Sequence, residues 1–473
     1  MRITTSARLA GVAAVAAVAA VAVAAPRAAE ANGGNTHTWI SLHAVEHLPD
    51  GKLKELLSRP EVRAMLINGS VFPDGGYVVG DAYGEMSHWE PFVEAYVRWI
   101  RDHAIGPLNQ GDAAEQVAFL MGLASHGMAD QVFDSMFVEA ARIEDAAGWS
   151  DSLLDSHDTA TDVFLVAQEG VNYLDTLPWV PGQVLSGIYA DAFDYTVSAD
   201  QLDAAQELLH RLVLNYGVAT AMDPAKVQDY VDRYPWSSAH LLEPTEAGGP
   251  PCEGEVVAAY WLALWDRLHE VSGPQNWVIA TYPRDGSVGH PIDSSRPESQ
   301  VAVVFGLGIE KAQLADHVQV TDDAGAVHDV TVTTQWGADE ANLARIEPLD
   351  DWAPDTTYTV TVSPGLTFND GTTMDDTFAF TFSTAAGDPG LPTSDPTPHT
   401  GEPDVGELPP VADDGGCAAA GGGGGAGASA APRWRWSRWA RRGGAGGSDA
   451  AGRRGPAPAL DSTLGAAHLA FRS

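Results

Sequence analysis

The stretch Phe119–Met136, Phe-Leu-Met-Gly-Leu-Ala-Ser-His-Gly-Met-Ala-Asp-Gln-Val-Phe-Asp-Ser-Met, constrains this chain more than any other. Its apolar residues recur every three or four positions and no proline interrupts it, which predicts a helix. His126, Asp130 and Asp134 stand at i, i+4 and i+8, so one face of that helix carries all three. Such a row is costly to bury on an apolar helix unless something positive sits between the side chains. Imidazole and carboxylate are zinc-type ligands, so a metal ion is the simplest candidate. The alternative is an exposed polar stripe.

The stretch lies in a segment, residues 32–273, that reads as all-α. Periodic apolar runs occur near Trp39–Leu57, Trp89–His103, Ala113–Met136, Asp158–Leu174, Asp200–Tyr216 and Glu253–Val271. Turn chemistry separates them: Leu48-Pro-Asp-Gly51, Phe72-Pro-Asp-Gly75, Gly106-Pro107, Trp179-Val-Pro-Gly182 and Gly248-Gly-Pro-Pro251. After Pro274 the texture changes to short β-type runs. Val301–Phe305, Val318–Thr321, Val330–Thr334, Thr357–Val362 and Phe378–Ser383 are predicted strands, with turn signals at Asp323-Ala-Gly325 and Asn369-Asp-Gly371. Residues 274–385 therefore read as a β-sandwich. Nothing in it suggests chemistry, and a spacer or binding module is expected.

The two ends carry no fold of their own. Residues 1–31 have a charged start (Arg2, Arg8), an apolar run (Leu9–Ala25) and a small-x-small site at Ala29-Glu30-Ala31. That is the pattern of a secretory signal peptide, and cleavage would leave Asn32 first. Residues 386–416 form an acidic, Pro- and Gly-rich linker expected to be disordered. Residues 417–473 are a low-complexity tail with Trp434, Trp436 and Trp439 among arginines. The order of linker, Gly-Cys417 and Arg-rich end resembles C-terminal sorting tags of exported bacterial proteins, but the apolar helix such tags carry is missing.

The formal charge is −38, and it is uneven. Eight Arg against two Asp make the tail from Cys417 onward +6, which leaves −44 for the rest. A body this acidic argues against tightly held nucleic acid, whose phosphates need Lys and Arg. It suits a secreted or cell-surface protein. Two cysteines, Cys252 and Cys417, allow one disulfide but no disulfide framework.

Other His and acidic residues can join the opening helix. His37 lies in Asn35-Thr-His-Thr-Trp-Ile40, and Asp74 ends Gly69-Ser-Val-Phe-Pro-Asp74. His88 starts a helix in Ser87-His-Trp-Glu-Pro-Phe92, and His157, Asp158 and Asp162 begin another. Together these are at least seven N/O ligands with almost no sulfur, enough for two or three zinc ions. His43-Ala-Val-Glu-His47 is a further i, i+4 pair, expected to face solvent or to support the ligands.

The order and spacing of these motifs resemble the zinc-dependent phospholipase C family, including its glycosylphosphatidylinositol-specific phospholipase D branch. The resemblance covers most of residues 32 to about 175. Asn-Thr-His37-Thr-Trp-Ile looks like the family's N-terminal His motif, and Phe72-Pro-Asp74 looks like the loop whose Asp bridges two metals. His88-Trp-x-Pro-Phe and Phe119-Leu-x-Gly-x-x-Ser-His126-x-x-x-Asp130 are similar to the phospholipase D branch. The resemblance implies the helical fold shared by phospholipase C and zinc nucleases. It also implies metal ligands His37, Asp74, His88, His126, Asp130, Asp134, His157 and Asp162, with Asp74 as general base. Asp134 stands where the family has a His, and His157 lacks the family's acid four residues on, so Asp162 takes that role. The implied activity is hydrolysis of phospholipid or glycolipid-anchor head groups at a membrane surface by zinc-activated water. A single-strand-specific zinc nuclease and a non-catalytic surface protein with a decayed site are the competing readings.

The sandwich resembles a bacterial Ig-like module. Pro283-x-Asp-Gly286, Tyr358-Thr-Val-Thr-Val362, Asp370-Gly371 and Phe380-Thr-Phe-Ser-Thr384 carry that resemblance, and it implies binding of cell-surface material.

Overall fold

The computed structural model describes residues 32–145, 151–271, 273–335, 338–386 and 397–398. The signal peptide read over residues 1–31, nearly all of the linker (386–416) and the tail (417–473) lie outside the described residues.

The first part is helical. α1 (Gly34–His47) and α2 (Lys52–Leu57) precede α3 (Pro60–Val79), α4 (Tyr83–Ser87) and α5 (Glu90–His103). Then come α6 (Gly111–Ser135), α7 (Phe137–Glu144), α8 (Asp151–Glu169), α9 (Gly182–Phe193) and α10 (Ala199–Leu209). A π-helical turn, His210–Leu214, leads into α11 (Asn215–Ala221), and α12 (Pro224–Arg233), α13 (Pro235–His240) and α14 (Pro250–Leu268) close the domain. The ends follow the local chemistry. α10 starts on a Ser198–Gln201 capping box, and α14 has Pro250 and Pro251 in its first turn, where a missing N–H costs nothing. α3 stops at Gly80 in the left-handed conformation.

α6 is the axis of the domain. Every residue from Val117 to Ser135 is buried, as expected of a helix that is apolar nearly all round. The exposed-stripe alternative therefore fails, because His126, Asp130 and Asp134 are all inside. α3 crosses α6 at Gly69 and Gly122, where a Cβ on either residue would collide with the other helix's backbone. Phe72-Pro-Asp-Gly75, expected to be a turn, instead lies within α3. Burial of Leu66, Ile67, Val71 and Phe72 holds that helix through Pro73, so packing overrides the turn preference.

The second part is a sandwich of two five-stranded sheets. The strands are β1 (Val278–Tyr282), β2 (Ser287–His290), β3 (Val301–Glu310), β4 (Val318–Asp322), β5 (Val327–His328), β6 (Val330–Thr334), β7 (Glu340–Pro348), β8 (Thr357–Val362), β9 (Phe378–Thr384) and β10 (Thr397–Pro398). One sheet runs β10-β1-β3-β7-β6 and the other β2-β9-β8-β4-β5. All neighbours are antiparallel except β2 and β9. Val301, Val303 and Phe305 of β3 face Val320, Val360, Phe380 and Phe382 in the sandwich core.

The other face of the first sheet is not polar. Ile279, Ala280, Ala302, Val304 and Leu343 join the core of the helical domain, beside Trp261 and Leu264 of α14. This explains why β3 is buried from Val301 to Ile309 instead of alternating. The sandwich thus shares a core with the helices. A buried polar network ties the seam. Arg267 of α14 donates to Glu90 Oε1 (2.6 Å), to Glu94 and to the Gly306 carbonyl of β3 (3.3 Å), and Tyr260 donates to Glu90.

Candidate metal centre

Four parts of the helical domain meet around the middle of α6. α1 brings His37, α3 brings Asp74, the link between α4 and α5 brings His88, and α6 brings His126 and Asp130. Close approach is what allows this. The Gly69–Gly122 crossing sets the Ser70 carbonyl against His126, and a Cβ on Gly127 would collide with the His88 carbonyl.

The geometry is that of a ligand set. His126 Nδ1 donates to Ser70 O (2.8 Å) and His88 Nδ1 to Gly84 O (2.7 Å). Each ring thereby turns its Nε2 lone pair inward, the arrangement a metal-binding His needs. The two Nε2 atoms lie 3.0 Å apart, and two acceptors at that distance repel unless a cation sits with them. Asp74 Oδ1 is 3.5 Å from His126 Nε2 and 3.7 Å from His88 Nε2. Asp130 Oδ1 is 3.1 Å from His37 Nε2, while its Oδ2 is 3.4 Å from His126 Nε2. Asp130, more than Asp74, is thus the carboxylate whose two oxygens face different histidines. Two overlapping groups result, Asp74–His88–His126 and His37–His126–Asp130.

Buried atoms in the set lack partners. Both ring nitrogens of His37 and both oxygens of Asp130 have no hydrogen bond of good geometry. Buried polar groups are nearly always satisfied, so these atoms fit ligands of a cation. Burial pushes the Asp74 and Asp130 carboxyls up, but the surrounding histidines, His126 foremost, outweigh it and hold both below the usual carboxylate range. Asp74 is the open member, with 21% of its side chain exposed, beside the half-buried Tyr77. Tyr77 in turn donates to Glu85, as does Trp89.

The other three predicted ligands are held elsewhere. Asp134 accepts a bond from Gln335 of the sandwich. His157 packs against the stacked rings of Phe133 and Phe137 and donates through Nε2 to Ser237 Oγ (2.9 Å), whose own proton goes to Asp145. Burial pushes His157 down to about 3. Asp162 accepts from Asn35 Nδ2 (2.7 Å) and Thr36 N (2.9 Å), so it fixes the first turn of α1. His43 and His47 bond each other at 3.0 Å, away from the cluster. A third group, His240–Glu243–Glu246, lies toward the surface.

Sequence reasoning missed the two carbonyls, Ser70 and Gly84, that aim the rings. It also assigned Glu253 only to a helix start. Glu253 does lie in the first turn of α14, yet it is fully buried. Burial, then the charge of Asp130, pushes its carboxyl well above the ordinary value. The available signal was that Glu253 falls on the apolar stripe of Val257, Tyr260, Trp261 and Leu264.

Residues 36–133, which carry all five converging side chains, match the zinc dependent phospholipase C family. This part of the helical domain is similar to zinc dependent phospholipase C. Residues 274–384 match the bacterial Ig-like domain, so the phospholipase C-like domain is followed by an Ig-like sandwich. Phosphatidylinositol-glycan-specific phospholipase D of Bos taurus is 35% identical over 176 residues, covering 34% of this chain and 21% of that protein. The Homo sapiens protein of the same name is 31% identical over 185 residues, 36% of this chain and 22% of that one. The chain thus spans about a fifth of the length of these relatives. Among solved structures, the S-layer protein rSbsC is 14% identical over 64% of this chain and 45% of that one, with a TM-score of 0.18.

Proposed function

We propose that this chain is an exported zinc-dependent phosphodiesterase that hydrolyses the head group of a phospholipid or glycolipid anchor. The observation that carries the reading is the convergence of His37, Asp74, His88, His126 and Asp130, with buried atoms that lack hydrogen-bond partners. His88, His126 and Asp74 would hold one zinc, and His37 and Asp130 a second. A third is not proposed, because Asp134, His157 and Asp162 are engaged by Gln335, Ser237 and Asn35.

Zinc, when bound, acidifies a water and offsets negative charge on phosphate oxygens. It also supplies the positive charge that an acidic protein lacks toward an anionic phosphodiester. The chain's own part is to place the groups. His88 and His126 are locked by backbone carbonyls, so their Nε2 atoms need no reorganisation. Asp74 is the exposed carboxylate of the set, kept ionised by the histidines, and it orients the attacking water as general base. Residues 1–31 act as the export signal, and the Ig-like domain supports binding at the cell surface. Among the described residues no helix is long and apolar enough to cross a membrane.

The test is product analysis with zinc-loaded full-length protein on phosphatidylcholine, a glycosylphosphatidylinositol-anchored protein and single-stranded DNA. Diacylglycerol or phosphatidic acid, lost with chelator, supports the reading and separates C-type from D-type cleavage. Cleavage of DNA alone would replace it with a nuclease. No product from any substrate would leave a binding protein with a decayed site.

A further inference from the structure

Asn32 and Glu253 meet inside the helical domain and together are short of a donor. Asn32 is 2% exposed and Glu253 0%. Asn32 Nδ2 donates to Glu253 Oε2 at 2.7 Å, across 221 residues of sequence. Glu253 Oε1 and Asn32 Oδ1 are both buried with no hydrogen-bond partner. Each of these atoms is an acceptor, so what the pair lacks is a group with N–H bonds to give. Among the described residues no Lys, Arg or His lies within ion-pair distance of Glu253. A carboxylate so placed is costly to bury.

The sequence holds a source for that donor. Ala29-Glu30-Ala31 is the small-x-small site that ends residues 1–31. Hydrolysis of the Ala31–Asn32 amide by an export peptidase consumes one water. It leaves a carboxylate on Ala31 and an α-amine on Asn32, largely ammonium at neutral pH because its ordinary pKa is about 7.7–8.0. The new charge arises on the residue that already touches Glu253. The backbone nitrogen of an Asn lies roughly 3–5 Å from its own Nδ2 in any staggered rotamer, which keeps the amine beside the carboxylate. Its N–H bonds suit Oε1 and Oδ1, the two acceptors left over. The location also calls for an anion. Asn32 lies two residues ahead of α1, and a helix N-terminus repels a cation unless a carboxylate offsets it.

We infer that Glu253 is the counter-ion of the mature chain's N-terminal ammonium, so that removal of residues 1–31 completes a buried ion pair between Asn32 and α14. The inference rests on the export reading above. It gives Glu253 a reason to interrupt the apolar stripe of α14. Gly33, next to Asn32, accepts the backbone N–H of His37 at 3.0 Å, so the pair pins the turn that leads to the metal centre. The fold is then more stable after export than before it.

The experiment compares the exported protein with a version that retains Ala31 as one extra N-terminal residue, each with Glu253 and with Glu253→Gln, in chelator at neutral pH. Mass spectrometry of the exported chain is expected to find Asn32 first. Acetic anhydride should label its α-amine on the order of 100-fold more slowly in the folded protein than in denaturant. Retaining Ala31 moves the ammonium by one residue. That should lower the melting temperature by several degrees beside Glu253 and by little beside the Gln, a dependence not expected of a packing role. If Glu253→Gln fails to fold, the labelling of the wild-type amine decides. An equal effect of Ala31 in both backgrounds, or an amine labelled as fast folded as denatured, overturns the inference while the export reading stands. A mature chain that starts elsewhere overturns the export reading and the ion pair with it.

Discussion

Gln335 Nε2 of the β-sandwich donates to Asp134 Oδ2 of α6, one helical turn beyond Asp130. A few residues away, Asn342 N donates to Gln131 Oε1 at 2.7 Å. The sandwich therefore reads the central helix directly. Gln335→Ala leaves a buried carboxylate short of a donor and should cost about 1–3 kcal/mol. Chemical denaturation of the full chain measures it. A loss below a few tenths would mean that the seam is loose in solution.

Arg267 joins Glu90 and Glu94 inside the same seam, with ion-pair distances of 2.6 and 2.5 Å. Removing the cation alone strands two buried acids. Arg267→Met should destabilise by about 3–5 kcal/mol, whereas adding Glu90→Leu and Glu94→Leu should recover much of that. Equal losses in the single and triple variants would show that packing volume, not charge, dominates.

Much of this could be read in the sequence, and the failures have physical causes. His126 and Asp130 were legible as candidate ligands because a four-residue step places two side chains on one helical face whatever surrounds them. Asp134 obeyed the same rule and yet turned to the sandwich. Its partner Gln335 is 201 residues away, and periodicity says nothing about such a neighbour. Asp162 and His157 went likewise to Asn35 and Ser237. Strand β7 was missed because Glu340-Ala-Asn-Leu-Ala-Arg-Ile-Glu347 is rich in helix formers, and its strand state comes from pairing between β3 and β6. β1 was missed because all five of its residues are buried, so it shows no alternation.

Two glycines separate packing from propensity. A Cβ on Gly122 would collide with Leu66 O across the α3–α6 crossing, whereas one on Gly187 in α9 meets nothing within 4 Å. Gly122→Ala should cost about 1–3 kcal/mol and weaken zinc binding, because it moves Ser70 away from His126. Gly187→Ala should add about 0.5–1 kcal/mol and leave zinc binding alone. Melting curves and zinc titration of both variants test the contrast, and unchanged zinc affinity in Gly122→Ala would contradict it.

Burial keeps two histidines neutral. It pushes His157 down to about 3 and His290, in the sandwich, down to about 4. Unfolding lets each take a proton near pH 6.5, so below that pH the unfolded state binds more protons. Stability present above pH 6.5 is therefore lost as pH falls toward 4, by about 1.4 kcal/mol per pH unit for each residue. His290→Gln, compared with wild type in chelator so that metal release does not contribute, should lower the slope of stability against pH in this range by about 1.4 kcal/mol per pH unit. A slope unchanged by the substitution would assign the acid sensitivity to other groups.

The most direct measurement is an anomalous difference map, collected above the zinc edge from crystals of the protein purified with zinc. Two peaks are predicted, one among Asp74, His88 and His126 and one beside His37 and Asp130. A map with no peak among these five residues, or with zinc only at His240, Glu243 and Glu246, would contradict the account.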